Sequence, residues 1–192
     1  VSVLAEYDYS IKDREFGPII SKIKADKPDA IYASGYFFTA GPMVSQIRAA
    51  GLSQPIVGQE GYDSQKFIEI AGKASEGVMI TTSLDRDSSS PETKDFISGF
   101  AKKAGYPADM VAASGHTALL VIADALKRAG SSDASALRDA ISKTSLSAST
   151  GKISFNALGE VQKDVQVQIV KGGNWHHHSV ISDPVLLAPP SK

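Results

Sequence analysis

Glu60 and Tyr36 are the residues most able to do chemistry in this chain. Glu60 lies in Ile56-Val57-Gly58-Gln59-Glu60-Gly61-Tyr62-Asp63, and Tyr36 lies in Ser34-Gly35-Tyr36-Phe37-Phe38-Thr39. Each follows a short apolar run that reads as a buried strand and precedes a stretch that reads as a helix. In an open parallel α/β sheet, ligands collect outside the carboxyl ends of the strands. A carboxylate there can receive an ammonium in a charge-assisted hydrogen bond, worth roughly 1.5–3 kcal/mol. An aromatic ring beside it can wall a pocket. The bland alternatives are a solvated loop acid answering a helix dipole, and three aromatics that merely cover the sheet edge. Gly58 and Gly61 flank Glu60 and permit a tight turn with close approach of backbone and ligand. Thr81, Thr82 and Ser83 bring hydroxyls to the same edge, unless they only cap the next turn.

The elements that must position these residues read as a β-α repeat. A strand is expected at about 1–7, from the alternation Val1, Val3, Ala5 and Tyr7. A helix follows at about 15–25, with Phe16, Ile19, Ile20 and Ile23 inward and Pro18 in its first turn. Ala30-Ile31-Tyr32-Ala33 reads as the second strand. The helix at about 39–50 has Thr39 as N-cap, Met43, Val44 and Ile47 inward and Gly51 as its stop. Pro55-Ile56-Val57 is a third strand, 64–71 a short helix with Phe67, Ile68 and Ala71 inward, and Gly77 to Thr81 a fourth strand. Such a series implies a doubly wound parallel sheet with right-handed crossovers.

The pattern then changes. Ser83 to Ser90 is polar and reads as a connection between subdomains. Ser90-Pro91-Glu92 opens a helix with Phe96, Ile97 and Phe100, ending near Gly105. A longer helix is expected at about 108–129 with Leu119, Leu120, Ala123 and Leu126 inward and Gly130 as stop, and another at about 133–143. Ile153 to Phe155 and Val165 to Val170 alternate like strands, and Gly172-Gly173-Asn174 turns the chain into Trp175. The tail from Pro184 to Lys192 is expected to lie extended on the surface.

Composition narrows the classes. The chain has 192 residues, a net charge of -1 and 42% hydrophobic residues, ordinary for a globular domain or two small ones. No basic stripe suggests nucleic acid. The apolar run Ala118 to Leu126 is interrupted by Asp124 and is too short to span a bilayer. The absence of cysteine excludes disulfides and thiolate chemistry. Opening on a strand pattern without Met suggests processing, truncation or a fragment. Phosphate-loop, dinucleotide, nucleophile-elbow and zinc-protease motifs are all missing, so an enzyme has little to build on. His176-His177-His178 would point to alternate faces of a strand and lacks further ligands at metal spacing, so neither a metal nor another cofactor is expected. Glu6, Asp8, Asp13 and Glu15 read as a solvated acidic edge.

The ordered motifs resemble one family. Phe16-Gly17-Pro18-Ile19-Ile20, Pro28-Asp29-Ala30-Ile31-Tyr32 and Gly35-Tyr36 come first. Gln46-Ile47-Arg48-Ala49-Ala50-Gly51-Leu52, Gly58-Gln59-Glu60-Gly61 and Ala74-Ser75-Glu76-Gly77-Val78 follow, then Ala123 to Gly130 and Thr150-Gly151-Lys152-Ile153-Ser154-Phe155. Together they resemble the substrate-binding proteins of branched-chain amino-acid (Leu/Ile/Val) ABC transporters. The resemblance implies a type I periplasmic-binding-protein-like fold: two α/β lobes, a hinge of three crossings and an amino acid closed between the lobes. It implies a periplasmic or extracytoplasmic location and a membrane permease as partner. By resemblance Tyr36 contacts the ligand, Glu60 holds its ammonium, Gly61 lies beside it and Thr82 is a weaker candidate near the hinge.

Residues 1–82 would be most of the second ligand-binding lobe, 83–157 carboxyl-terminal elements of the first, and 158–192 hinge return strands and tail. The family commonly has Tyr-Asp where this chain has His116-Thr117, so no role is carried there. The family is also nearly twice as long, and its first lobe begins upstream of Val1. The resemblance therefore implies a chain that alone binds amino acids weakly or not at all. A sensor or receptor domain of the same fold is the alternative, and a doubly wound enzyme a more remote one.

Overall fold

The computed structural model describes residues 1–188, and the chain divides into two compact units. The first takes Val1–Thr82 and Gln168–His176. The second takes Ser83–Val167 and the chain from His177. The chain therefore passes between units three times, after Thr82, Val167 and His176.

In the first unit, helix α1 (Gly17–Asp26) leads to strand β1 (Ile31–Tyr32), helix α2 (Phe37–Ala49) and strand β2 (Ile56–Gly58). A 3₁₀ turn (Glu60–Tyr62), helix α3 (Gln65–Ala71), a second 3₁₀ turn (Gly72–Ser75) and strand β3 (Met79–Thr82) complete the run. β1, β2 and β3 are parallel neighbours, with Ile31 opposite Ile56 and Val57 opposite Met79. Strands β7 (Val165–Lys171) and β8 (Asn174–Ile181) extend the sheet in the order β1-β2-β3-β7-β8. Backbone bonds from Gly77 N–H to Val170 O (3.0 Å) and from Val170 N–H to Val78 O (2.9 Å) join them.

The helices bury the faces their periodicity requires. Met43, Val44 and Ile47 of α2 and Phe67, Ile68 and Ala71 of α3 close over Ile31, Ile56, Val78 and Ile80 in one continuous core. Ser64 caps α3, its hydroxyl accepting from Lys66 N–H.

Four expectations fail, two of them in this unit. Residues 1–10 form no strand, and Val1, Val3 and Leu4 are exposed. Alternation alone does not make a strand, because its backbone groups need a ladder partner. The segment is held by side chains instead: Tyr9 meets the Phe16 ring edge-on at 5.6 Å and bonds to Ser34 O. Thr39 is not the cap of α2. Tyr36 holds that position, while Thr39 is buried and donates to Ile11 O at 2.8 Å. The helix thus begins two residues earlier than expected.

The second unit holds helices α4 (Pro91–Ala104), α5 (Met110–Ala129) and α6 (Ala134–Ile141) with an antiparallel sheet, β4 (Ser145–Ala148), β5 (Gly151–Phe155) and β6 (Val161–Gln162). Asp109 and Asp133 cap α5 and α6. The third failed expectation is the face of α5. Ala113, Thr117, Val121 and Ala125 are its buried residues, whereas Leu119, Leu120 and Leu126 are exposed and so is Ala123. A helix apolar on several sides does not reveal by periodicity which side faces its own core. Ser145–Ala148 was not anticipated as a strand. Its polar alternation pairs Leu146 with Ile153.

Polar groups organise this unit. Ser149, buried, donates to Ala113 O (3.1 Å) and meets His116 Nδ1 (3.1 Å) and Thr117 Oγ1 (3.2 Å). The His116 ring stacks on Phe96 at 4.8 Å. The three adjacent histidines lie in β8, and His177 Nδ1 is 3.0 Å from Asp85 Oδ2. The tail was expected to be extended. It turns at Pro184 to Leu186, with Leu187 N–H on Asp183 O, and Pro189 to Lys192 lie outside the described residues.

Candidate functional site

Tyr36 and Glu60 sit on neighbouring loops at the carboxyl ends of β1 and β2, and a side chain not singled out by its sequence position ties those loops together. Gln59 accepts from Gly61 N–H through Oε1 at 2.8 Å and donates through Nε2 to Gly35 O at 2.7 Å. One amide thus fixes both the turn that carries Glu60 and the turn that carries Tyr36.

The glycines around it are there for want of space. A Cβ on Gly61 would stand 2.1 Å from Gly35 O and 2.8 Å from Gln59 Nε2. Gly35 has φ +148°, and a Cβ there would meet the Tyr9 hydroxyl at 2.4 Å. The two loops touch backbone to backbone, and only glycine allows it.

Beneath them Tyr62 is fully buried and stacks on Phe67 at 5.1 Å, and Phe67 stacks on Trp175 at 5.7 Å. The Tyr62 hydroxyl has no hydrogen-bonding partner among the described residues. Burial first, then the neighbouring Tyr9 and Tyr32, raise its pKa far above that of a free tyrosine. Burial raises that of Tyr9 as well.

Above this floor the predicted residues differ. Glu60 opens the 3₁₀ turn with an exposed carboxylate that accepts no hydrogen bond and forms no ion pair among the described residues. Tyr36 is 52% exposed. Its ring stacks parallel to Phe38 at 5.7 Å, and Phe38 in turn lies under the Arg14 guanidinium at 5.7 Å. The ring is therefore steadied on Phe38 while about half of the residue stays exposed. Gly61 is the point where the loops meet. Thr82 stands apart in kind: it is buried, and its hydroxyl donates to the buried Asp63. That bond ties the end of β3 to the residue closing the 3₁₀ turn.

This edge of the sheet carries an exposed carboxylate on one loop and a half-exposed aromatic ring on its neighbour, a combination suited to a small cation. Sequence reasoning passed over Gln59 and Asp63. The available signal for Gln59 was a bulky amide held between Gly58 and Gly61-containing turns, where a side chain has little to do but bond backbone. No group of His, Asp and Glu suited to a metal ion occurs among the described residues. A cavity of about 290 Å³ lies in the second unit, lined by Thr117, Val121, Ile153, Phe155 and Lys163 among others. None of the four predicted residues lines it. The strand-end loops carry an exposed carboxylate and a half-exposed ring, Glu60 and Tyr36, and the cavity has neither in its lining.

Comparison with known proteins follows the same direction. A family described as periplasmic binding protein matches residues 1–174. The leucine-, isoleucine-, valine-, threonine- and alanine-binding protein of Pseudomonas aeruginosa is 29% identical over 152 residues, covering 78% of this chain and 40% of that protein. A leucine binding protein from Thermotoga maritima superposes with a TM-score of 0.84 at 32% identity, over 91% of this chain and 50% of that one. The branched-chain amino acid transporter substrate-binding protein of Streptococcus pneumoniae, solved with isoleucine, shares the fold with a TM-score of 0.81 at 23% identity. The chain spans about half the length, or less, of these relatives.

Proposed function

The chain belongs to the periplasmic binding protein family, and on that premise we propose that it is part of an extracytoplasmic solute-binding component of an ABC importer. Its ligand is an amino acid of branched-chain type or a related small molecule bearing an ammonium group, delivered to a membrane permease. The observation that carries this reading is the pair of strand-end loops locked by Gln59, with the exposed Glu60 carboxylate on one and the exposed Tyr36 ring on the other.

Each residue has a part. Glu60 accepts the ligand ammonium, and because its carboxylate makes no other bond among the described residues it need not surrender one on binding. Tyr36 packs its open face on the ligand, with its hydroxyl as a further donor. Gly61 lets the loops close together so that both groups address one point. Thr82 acts through Asp63, holding the turn that presents Glu60. Residues 1–82 correspond to most of a second ligand-binding lobe, residues 83–157 to late elements of a first lobe, and 158–192 to returning hinge strands and tail. Relatives that bind leucine or isoleucine, by their descriptions, support this ligand class.

On this reading the first unit offers one wall of a site. A ligand held on one side keeps only part of its hydrogen bonds and stays open to water. Calorimetry on the 192-residue chain with leucine, isoleucine, valine and polar amino acids should show no binding tighter than the millimolar range. Micromolar affinity would overturn the one-wall assignment. In a protein carrying both lobes, Glu60→Gln should weaken leucine binding by about ten- to a hundredfold, the equivalent of a lost charge-assisted hydrogen bond. Unchanged affinity would remove Glu60 from the site.

A further inference from the structure

Two consecutive carbonyls precede Tyr36, and each is tied by a side chain from a different segment. Gly35 O accepts from Gln59 Nε2 at 2.7 Å, and Ser34 O accepts from the Tyr9 hydroxyl. Tyr9 lies outside every helix and strand of the described residues. Its ring meets Phe16 edge-on at 5.6 Å, which serves packing. Its hydroxyl serves the Tyr36 loop instead: a Cβ on Gly35 would collide with it, and Gly35 holds φ +148°. Burial raises the Tyr9 pKa, so the phenol stays protonated and able to donate at neutral pH.

The segment that carries Tyr9 is fastened to α2, the helix that Tyr36 begins. Thr39 donates to Ile11 O at 2.8 Å. Gln46, about two turns further along the helix, donates to Arg14 O at 2.7 Å and accepts from Phe16 N–H at 2.8 Å. Ser10 N–H closes a turn on Asp13 Oδ2 at 2.8 Å. Arg14 bonds to Ile11 O and Asp13 O within that turn. Its guanidinium stands 5.7 Å from the centre of the Phe38 ring, on which Tyr36 stacks. Residues 9–16 therefore reach the Tyr36 loop at Ser34 before it, at Phe38 against its ring and at Thr39 in the first turn of the helix.

The Tyr9 hydroxyl can contribute little to global stability, because Ser34 is exposed and its carbonyl can turn to water. It matters to direction. With Ser34 O and Gly35 O both tied, the backbone entering Tyr36 is set before a ligand arrives. Such preorganisation raises affinity by removing an ordering cost that binding would otherwise meet. We propose that Tyr9 is a positioning residue of the ligand site, holding the Ser34-Gly35 backbone so that Tyr36 is set to receive the ligand, with Arg14 bracing the ring through Phe38. The proposal rests on the reading of Tyr36 and Glu60 as ligand contacts.

Ring resonances of the 192-residue chain give the first test. The Tyr36 ring feels the ring current of the stacked Phe38. Tyr9→Phe should therefore move its signals towards those of an unstructured tyrosine and leave the signals of Phe67 and Trp175 in place. Arg14→Gln, at an exposed position, should move them in the same direction by less. Tyr36 signals that stay put in Tyr9→Phe overturn the proposal. So does movement of Phe67 and Trp175 together with Tyr36, which would make the hydroxyl a general support of the unit.

Leucine calorimetry on a protein carrying both lobes gives the second test. Tyr9→Phe should weaken binding by about three- to tenfold, the size of one neutral hydrogen bond. In a Tyr36→Ala background the same change should weaken it by less than about twofold, a coupling that a purely structural hydroxyl would not produce. Full additivity overturns the positioning role alone, as does an unchanged affinity in Tyr9→Phe where Glu60→Gln lowers it. Affinity that ignores both Glu60→Gln and Tyr36→Ala removes the functional reading, and the role of Tyr9 falls with it.

Discussion

The two units bury their apolar residues in opposite ways. The first closes one continuous core around a parallel sheet, from Phe16 through Val44, Ile56 and Phe67 to Trp175. The second has two small separate clusters, one about Leu84 and Ala108, the other about Val121 and Ile153, and leaves the large side chains of α5 outside. What joins its parts is a set of hydroxyls around Ser149. Hydrophobic burial scales with the area removed from water, so the first unit can hold a functional edge in place by packing alone. The second depends more on polar geometry. The contrast bears on the four proposed ligand residues, Tyr36, Glu60, Gly61 and Thr82, all of which lie in the first unit. A carboxylate such as Glu60 can stand unengaged where the floor beneath it is rigid.

The contrast is broken most directly at Phe67. Fully buried and stacked between Tyr62 and Trp175, it should cost about 3–5 kcal/mol when replaced by alanine. Hydrogen exchange should show the loss in the first unit, with α4 and α5 little changed. Equal loss in both units would mean that they unfold as one and that the contrast is only geometric. Next comes Gly61→Ala, where a methyl would press on Gly35 O. Overpacking of this kind costs about 1–3 kcal/mol. It should also separate the loops that Gln59 ties, so amides of 34–36 and 59–62 should exchange faster than those of β3. If only global stability falls, the tie is not local.

Much of the first unit could be read from spacing, and the reason is physical. Met43, Val44 and Ile47, or Phe67, Ile68 and Ala71, are apolar on one side only, so period and burial agree. Glu60 and Tyr36 were legible as strand-end residues because short buried strands followed by helices leave few other places for them. Two things were not legible. Val1 to Tyr7 alternates correctly, yet a strand is a property of a pair, and no single segment states its partner. The face of α5 was misassigned for a related reason. Leu119 and Leu126 are the larger hydrophobes, so size favoured them, but the smaller Ala113, Val121 and Ala125 are the ones that face the unit's own core. Gln59 escaped because a glutamine's use depends on which carbonyl, here Gly35 O, is brought within reach.

Smaller effects sharpen the polar side of the contrast. Ser149→Ala removes a hydroxyl that donates to Ala113 O and faces His116 and Thr117. Leaving those buried groups short of a partner should cost about 1–3 kcal/mol, read as a lower denaturation midpoint for the second unit with the first unmoved. A cost below that range would mean that the hydroxyl network is decoration and that the small apolar clusters hold the unit.

Tyr62 allows a test in the other direction. Its hydroxyl is buried without a partner among the described residues, so Tyr62→Phe should be neutral or stabilise the first unit by about 1 kcal/mol. The sign of its pH dependence is fixed by the raised pKa. The folded state keeps the phenol neutral, so its stabilisation is whole below the free value near 10 and falls as pH rises beyond it. Alkaline unfolding of the first unit should therefore begin above about pH 10 and move to higher pH in the phenylalanine variant. An unchanged alkaline limit would assign that transition to another group.

The smallest expected effect falls on Leu119, a large apolar side chain of α5 that is 69% exposed. Leu119→Gln removes an apolar group that the 192-residue chain does not bury, so its stability should change by no more than about 0.5 kcal/mol. The same substitution at the buried Val121, whose side chain packs with Ala148 and Ile153, should be far more costly, because a polar amide would be placed where it has no partner. The comparison is informative because the two residues are two positions apart on one helix and differ mainly in which side they face. If Leu119→Gln proved as damaging as Val121→Gln, the Leu119 side of α5 would already be covered in the 192-residue chain. The second unit would then have a core of its own, and the difference between the two units would reduce to the first having a parallel sheet and the second not.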